Sequence, residues 1–178
     1  MKKFIKNLAN VLSILKRLFL IICLSINFVC FAQKTDPNLR QMRTELLRLH
    51  NEIRAKNGAG RLVLNEKLNI AAQRHAEDMC HNNYFAHISP DGKGPWDRAK
   101  ASGYITVESQ GTRSVSENIA SNTTDPKLAV DVWVKSPPHF RGMITKCYRD
   151  VGFGYYKGYW VAVFGCIDCN YQEWMESL

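Results

Sequence analysis

The sequence predicts one α+β domain in which helices cover both faces of a small antiparallel sheet. Three long segments repeat apolar residues every three or four positions, as amphipathic helices do, and the C-terminal third changes to a repeat of two. Both faces of the predicted strands are rather apolar, which indicates a sheet covered by helices on each side. The length of 178 residues suits a single domain with its own core.

The first two helices have clear start signals. The first begins at Pro37, with Asp36 as its N-cap, and ends at the Asn57-Gly58 stop. Its apolar stripe consists of Leu39, Met42, Leu46, Leu49 and Ile53. The second starts after the cap Asn65, and its stripe consists of Leu68, Ala72, His75, Ala76 and Met79. Both patterns predict helices with one buried face.

The rest of the chain predicts two further helices and a hairpin. Pro95 starts a short helix after a loop, and a longer helix runs from the cap Asp125 to a break at Pro137. The hairpin alternates through Val151, Phe153 and Tyr155, turns at Lys157-Gly158, and alternates again through Tyr159, Val161 and Val163.

Residues 1–32 have the layout of a secretory signal peptide. Five basic residues precede a run from Leu18 to Ala32 that contains no charge. We expect cleavage after Ala32 and secretion, to the extracellular space or, in a bacterium, to the periplasm or cell surface. The alternative is a signal anchor that stays in the membrane. Loss of the five basic residues lowers the formal net charge from +8 to +3, which argues against a nucleic-acid-binding protein.

Four cysteines follow the signal segment: Cys80, Cys147, Cys166 and Cys169. An even number in an exported chain favours two disulfides, for which three pairings exist. We expect Cys80–Cys147 and Cys166–Cys169, with exchanged partners as the alternative. A zinc site of four thiolates is the rival interpretation, but it needs two close pairs and only "CIDC" supplies one.

Three polar segments, each beside a loop signal, carry the candidate cleft residues. They are "YFAHISPDG" with His87, "SENIAS" with Glu117, and "SPPHFRG" with Ser136 and His139. Imidazole is both the commonest transition-metal ligand and the usual proton carrier near neutral pH. Each residue also has a purely structural interpretation. His87 packs beside aromatic residues, Glu117 bonds to the backbone of its own turn, and His139 begins another helical turn.

Seven segments occur in the order seen in one known superfamily. They are "LHNEIR", "AAQRHAEDM", "YFAHISPDG", "SENIA", "WVKSPPHFRGMI", "YRDVGFG" and "YWVAVFG". The chain thereby resembles the CAP superfamily of cysteine-rich secretory proteins, antigen 5 and pathogenesis-related 1 proteins, also called the SCP domain. The "SPDG" and "SPPHF" forms resemble its bacterial-type branch. On this resemblance the CAP domain spans residues 44–166. Residues 33–43 form an extension and the start of the first helix, and residues 167–178 form a tail.

The resemblance implies a three-layer α-β-α sandwich whose cleft holds two histidines and two acidic residues. His87 matches the histidine of the family's "F-x-H", Glu117 the glutamate of "G-E-N-I", and His139 the second histidine. In family members the two histidines can hold a divalent ion such as zinc, with the carboxylates alongside. The expected metal ligands are therefore His87 and His139, and the expected cofactor is zinc or another divalent cation.

Two positions depart from the family pattern. Ser136 stands at the second acidic position, and Ser116 stands where the family usually has glycine. Two histidines and one carboxylate suffice for an open zinc site with water in the last position. The loss of one carboxylate lowers the negative charge and predicts weaker metal binding.

The double proline also predicts how His139 is placed. Pro137 and Pro138 end the preceding helix, and their fixed φ angles are expected to hold an extended corner. That corner would aim His139 towards His87 and Glu117.

The resulting interpretation is a secreted, monomeric, non-catalytic module whose cleft and surface bind a lipid or an extracellular protein. A cell-wall or host-surface module is not separable from it by sequence. The alternative is a metal-assisted hydrolase using His87, His139 and Glu117, with Glu117 as general base. A Ser136–His139–Glu117 nucleophilic arrangement lacks the "G-x-S-x-G" elbow, and "H-E-x-x-H" is absent from the sequence.

Overall fold

The computed structural model describes residues 37–106 and 113–167. Helices α1 to α5 comprise Pro37–Lys56, Glu66–His81, Pro95–Ala101, Pro126–Lys135 and Pro137–Ile144. Strands β1 to β4 comprise Val63–Leu64, Arg113–Ala120, Asp150–Tyr156 and Tyr159–Ile167. The predicted signal peptide, the proposed cap Asp36 and residues 168–178 of the predicted tail lie outside the described ranges. No helix in these ranges is long and apolar enough to cross a membrane.

The strands form one sheet in the order β1-β3-β4-β2. The predicted hairpin is confirmed, because β3 and β4 pair antiparallel and Tyr156 faces Tyr159 across the turn. Strand β2 pairs antiparallel with the other side of β4, and the two-residue β1 pairs parallel with β3. The sheet is therefore mixed. Its parallel member is too short to leave a period-two pattern in the sequence.

Helices pack on both faces of this sheet, which confirms the three-layer arrangement. One core layer, with α1, α4 and α5, includes Leu46, Trp133, Met143, Phe153, Trp160 and Phe164. The other, with α2 and α3, includes Leu68, Ala72, Met79, Ala99, Val161 and Val163. Successive residues of β4 belong to alternate layers, as the pleat of a strand requires. The apolar character of both strand faces follows from this double cover.

The predicted helix starts are confirmed where the structure describes them. The side chain of Asn65 accepts hydrogen bonds from the N–H groups of Lys67 at 3.1 Å and Leu68 at 3.4 Å. Asp125 caps α4 by accepting from the N–H of Lys127 at 2.8 Å. These bonds satisfy donors that the first turn of a helix leaves unpaired.

The predicted extended corner at the double proline is wrong. Pro137 and Pro138 are the first two residues of α5, where the missing N–H costs nothing because that position has no helical acceptor. Only Ser136, with φ −100° and ψ 112°, is extended between α4 and α5. His139 therefore lies in the first turn of a new helix, as the alternative interpretation held.

Helix α2 lies so close to β3 that the strand has room only for glycine at two positions. A β-carbon on Gly152 would overlap the backbone of Leu68, and one on Gly154 would overlap the backbone of Ala72. The closeness lets side chains of α2 reach the outer edge of β3.

Polar side chains of α2 continue the hydrogen bonding of the sheet. Strand β1 pairs with only the first two residues of β3. Beyond them, Asn69 accepts from the N–H of Phe153 at 2.9 Å, and Gln73 bonds both the N–H and the carbonyl of Tyr155 at 3.1 and 3.0 Å. The helix thus satisfies backbone groups that would otherwise be buried without partners.

The predicted Cys80–Cys147 disulfide is wrong. Cys80 is a free cysteine on α2, which packs on one face of the sheet, whereas Cys147 lies in the core layer on the other face. The same separation excludes a zinc site built from all four cysteines. The Cys166–Cys169 bond involves a residue outside the described ranges and stays a prediction.

A buried histidine should make stability fall in acid. His50 is fully buried between Trp133 and Phe153, and its Nδ1 donates to the carbonyl of Leu46 at 2.7 Å. Burial lowers the pKa of His50 to about 4. The unfolded chain, with a histidine pKa near ~6.5, takes up the proton first. We therefore expect the free energy of unfolding to fall by about 3 kcal/mol as pH drops from about 6.5 to about 4.

Urea unfolding at pH 7 and pH 4.5 measures this loss. The His50→Leu protein should lose less stability between these values than the wild type, and the exposed-site control His81→Gln should behave as the wild type. Equal losses in the wild type and His50→Leu proteins would contradict the assignment.

Candidate functional site

Three predicted cleft residues, His87, Glu117 and His139, meet at strand β2, which in the described ranges has a neighbouring strand on one side only. Glu117 and Asn118 are consecutive on β2, so their side chains point to opposite faces of the sheet. His87 lies in the loop between α2 and α3 and contacts Glu117 on one face. His139 lies on α5, where its carbonyl accepts from Asn118 at 3.0 Å on the other face. The two histidines thus approach each other around the edge of the sheet.

Glu117 is the centre of the polar contacts, and its side chain is 0% exposed. Nη2 of Arg98 donates to both carboxylate oxygens, at 3.1 Å to Oε1 and 2.9 Å to Oε2. Nδ1 of His87 lies 2.9 Å from Oε1, and Nε2 of the buried His75 lies 3.6 Å from the same oxygen. The carboxylate therefore shares its charge with a guanidinium and faces two imidazoles.

The contact with Glu117 determines which nitrogen of His87 is available. A carboxylate accepts hydrogen bonds, so Nδ1 carries a proton, and in the neutral tautomer Nε2 is the nitrogen with the lone pair. The His87 side chain is 43% exposed, in contrast to the buried Glu117. His87 can therefore present Nε2 to a ligand while Glu117 fixes the ring from behind.

His139 faces His87 with a ring-centroid distance of 6.4 Å and an interplanar angle of 48°. Its Nδ1 is buried and has no hydrogen-bond partner among the described residues. Burial, with a smaller contribution from His87, lowers the pKa of His139. The ring is therefore neutral at pH 7, which is the form that binds a metal.

Ser136 and Ser116, at the two positions that depart from the family pattern, have different surroundings. Ser136 joins α4 to α5 and its hydroxyl makes no capping hydrogen bond. Ser116 lies on β2, and its Oγ is buried without a hydrogen-bond partner in the described part of the chain. The hydrogen bonds of Glu117 go to His87 and Arg98, so the described contacts do not form a Ser136–His139–Glu117 relay.

Behind Glu117 lies a network that sequence reasoning missed. Arg98 also donates to the carbonyl of His87 at 2.8 Å and to Oγ of Ser89 at 3.2 Å. Tyr84 donates to Asp78 and lies 3.1 Å from Oγ of Ser89. Burial, with the bond to Asp78, raises the pKa of Tyr84 to about 12. This network ties the loop that carries His87 to helices α2 and α3.

His75 and Arg98 gave no separate signal in the sequence. His75 falls on the apolar stripe of α2, and its Nε2 lies 3.1 Å from the carbonyl of Ala86. Burial lowers the pKa of His75, and the neighbouring Glu117 opposes that shift. Arg98 is one of two basic residues in a short helix, and only the fold shows that it points at Glu117.

The described residues offer few groups of metal ligands. No group of three or more His, Cys, Asp or Glu side chains in residues 37–106 and 113–167 is arranged to hold an ion. The two imidazoles remain, with the free Nε2 of His87 and the unpartnered Nδ1 of His139. With Zn–N bonds of about 2.0–2.1 Å, one ion could reach both rings at their centroid distance of 6.4 Å only in a nearly linear N–Zn–N arrangement. The two nitrogens are donors of the type that binds a divalent cation, but the rings would have to move closer together for tetrahedral coordination.

The sequence matches a known protein family and two bacterial relatives. The sequence profile of the cysteine-rich secretory protein family, CAP, matches residues 47–167. Two proteins of Bacillus subtilis (strain 168) are 32% identical to the chain. The uncharacterized membrane protein YlbC aligns over 134 residues, 73% of this chain and 37% of its own. The uncharacterized protein YkwD aligns over 111 residues, 62% of this chain and 41% of its own.

Solved structures with the same fold include two bacterial surface or extracellular proteins. An extracellular protein containing an SCP domain from Bacillus anthracis str. Ames has a TM-score of 0.64 and 24% identity, covering 72% of this chain and 43% of its own. An outer surface protein from Borrelia burgdorferi has a TM-score of 0.60 and 22% identity, covering 70% and 91%. At these identities the likeness shows the fold. The chain spans less than half the length of either Bacillus subtilis relative.

Proposed function

Because the chain belongs to the cysteine-rich secretory protein (CAP) family, we propose that it is an exported, non-catalytic binding module. In this proposal His87 and His139 hold a divalent cation, zinc or a similar ion, at the edge of the sheet. Glu117 fixes the His87 ring. The partner, a lipid or an extracellular protein, binds over the cleft.

The main support for the proposal is that both oxygens of Glu117 already accept hydrogen bonds from neighbouring side chains. Both of its oxygens accept from Arg98, one also accepts from His87, and the side chain is buried. A general base must reach the proton that it removes, whereas this carboxylate is held behind the imidazole by a guanidinium. A ligating histidine commonly donates its other ring N–H to a carboxylate, which is the arrangement of His87 and Glu117. The geometry therefore favours cation binding over hydrolysis.

Two protein ligands leave most positions around a cation open. When bound, the cation would offer those positions to a donor atom of the partner. Apolar side chains near His87 in the chain supply further contact area: Phe85, Ile88 and Trp96 are all exposed large hydrophobic residues. Such residues on a surface are typical of binding sites when they cluster. We propose that these exposed side chains contact the apolar part of the partner.

Export is supported by the sequence and by the names of related proteins. Residues 1–32 have the layout of a signal peptide, and the structural neighbours include an extracellular and an outer surface protein. The relative YlbC is named a membrane protein. We propose that this domain likewise acts outside the cytoplasm.

Titration calorimetry with Zn²⁺ tests the cation site. The wild-type protein should show one saturable site, and the His87→Ala/His139→Ala double variant should lose it. His81→Ala is the matched control, because this exposed histidine contacts Tyr156 instead of the cleft. Binding that survives in the double variant, or that is lost equally in the control, would refute the proposed site. So would the lack of binding by the wild type.

A further inference from the structure

Three aromatic rings lie in a row on the face of the sheet that α2 covers. Tyr156 and Tyr159 are paired directly across the turn of the β3–β4 hairpin, and both pack at the margin of the core layer of α2 and α3. Phe85, in the loop after α2, continues the row, with its ring centroid 6.4 Å from that of Tyr159. These three residues, here called the aromatic row, lead from the hairpin turn towards the loop that carries His87.

The aromatic row is accessible, and its tyrosines carry polar groups. Phe85 is 49% exposed, and the two tyrosines are half-buried. The hydroxyl of Tyr156 lies 3.2 Å from Nε2 of His81, whose ring packs edge-on against the Tyr156 ring and fixes its position. Such a surface combines apolar ring faces with polar ring edges, so it differs from the continuous apolar surface that a lipid tail needs.

Lys157 adds a cation at the hairpin end of the row. Its Nζ lies 5.3 Å from the centroid of the Tyr156 ring. No carboxylate in residues 37–106 and 113–167 forms an ion pair with this lysine. With φ at 44°, Lys157 adopts the left-handed conformation for which hairpin turns favour asparagine or glycine. A residue held in a disfavoured conformation often marks a functional position, and here it keeps an exposed ammonium above an aromatic ring.

We infer that the aromatic row and Lys157 bind an acidic glycan, that is, an extended chain of sugars of which some carry carboxylates. The C–H faces of sugar rings are apolar and stack on aromatic faces, while their hydroxyl groups pair with donors and acceptors such as the tyrosine hydroxyls. A carboxylate of the chain pairs with the ammonium of Lys157. A row of rings suits an extended ligand, whose successive sugars each meet one ring.

This glycan surface lies beside the cleft and goes beyond the proposed function. It shares only Phe85 with the side chains proposed above for the partner. It needs no cation at His87 and His139, because none of its contacts involves those residues.

NMR titration of the ¹⁵N-labelled protein with a hyaluronan hexasaccharide tests the inference. In this probe glucuronate alternates with N-acetylglucosamine, so it offers both sugar faces and carboxylates. We expect saturable binding, with amide shift changes centred on Phe85 and the hairpin turn. Phe85→Ser and Lys157→Met should each weaken binding by about three- to tenfold, since one removes a stacking ring and the other a charge.

Two matched variants control for general surface effects. Leu128→Ser removes an apolar side chain that is 51% exposed on α4, in the opposite layer. Lys67→Met removes the same charge as Lys157→Met from the first turn of α2, whereas His81 beside the row ends that helix. Both controls should bind the hexasaccharide as the wild type does. Equal weakening in the controls, or full binding by Phe85→Ser and Lys157→Met, would overturn the inference.

Two other probes test the chemistry of the ligand. Chitohexaose, a neutral chain of the same length, should bind several-fold more weakly than the hyaluronan fragment, and Lys157→Met should not change its affinity. Equal affinities of the wild type for the two chains would overturn the assignment of an acidic ligand. Binding to phosphatidylglycerol vesicles without binding to the hexasaccharide would identify a lipid surface instead and also overturn it.

The His87→Ala/His139→Ala double variant separates this inference from the proposed function. It should bind the hexasaccharide as the wild type does, even though it loses the proposed cation site. If zinc titration fails while the hexasaccharide binds, the cation site is rejected and the glycan surface stands. Loss of hexasaccharide binding in the double variant would place the glycan in the histidine cleft and overturn the separate surface.

Discussion

Gly152→Ala should prevent the domain from folding stably, with an expected loss of at least ~3 kcal/mol. A β-carbon at this position would overlap the backbone of Leu68 and Asn69, closer than 3.0 Å. Backbone atoms cannot rotate away as a side chain can. Helix α2 would have to move off the sheet, which breaks the bond from Phe153 to Asn69 and opens one core layer.

The matched control is Gly60→Ala. A β-carbon there would meet only the end of the Arg149 side chain, at 3.9 Å, which is ordinary contact. Its effect on the free energy of unfolding should stay within about 0.5 kcal/mol. Urea denaturation of both variants measures the difference. Equal, small effects would show that α2 and β3 are not in the close contact described above.

Arg54→Met should also be severely destabilising, by about 4 kcal/mol. Arg54 is fully buried, and its guanidinium donates to four carbonyls. The acceptors are Gly60 at 2.6 Å, Met143 at 2.8 Å, Thr145 at 2.9 Å and Tyr148 at 3.0 Å. Removal of the guanidinium leaves these carbonyls without a hydrogen-bond donor. Each buried carbonyl left unpaired lowers the free energy of unfolding by about 1–3 kcal/mol. Entering water or relaxation of the structure offsets part of this loss.

Arg48→Met is the control on the same helix. Arg48 is half exposed, and among the described residues it pairs only with Glu45 and Glu52 at helical spacing. Surface pairs of this kind contribute about 0.3–0.5 kcal/mol each. In thermal or urea unfolding, the loss of unfolding free energy should therefore be several times larger for Arg54→Met than for Arg48→Met. Comparable losses at both positions would mean that the carbonyls around Arg54 find other donors.

The local pattern was sufficient for most helices and for the hairpin. Periodicity and caps located α1 to α4 because an amphipathic helix places its signal in consecutive residues. Strand β2 was not predicted because four of its residues, Ser114, Ser116, Glu117 and Asn118, are polar and only one apolar residue lies among them. An edge strand with buried polar side chains does not show the apolar pattern of a core strand. The proline pair was misread because it starts α5 as readily as it ends α4.

In the candidate site, too, some residues were identified from short motifs and others only from the folded structure. His87, Glu117 and His139 were identified by resemblance in ordered motifs, and the structure places them around one strand edge. The geometry adds His75 and Arg98, which come from α2 and α3. Nothing in the spacing of these residues distinguishes them from a core histidine and a surface arginine.

Helix positions, the hairpin and the family could be read from the order of the residues, because those signals are repeated at short range along the chain. The balance of charge around Glu117 could not be predicted from the order of the residues. It depends on a guanidinium 19 residues away that turns inward, and on a sheet edge that brings two histidines from opposite faces together. Such contacts arise only when distant segments pack, since burial and pairing are properties of the assembled fold.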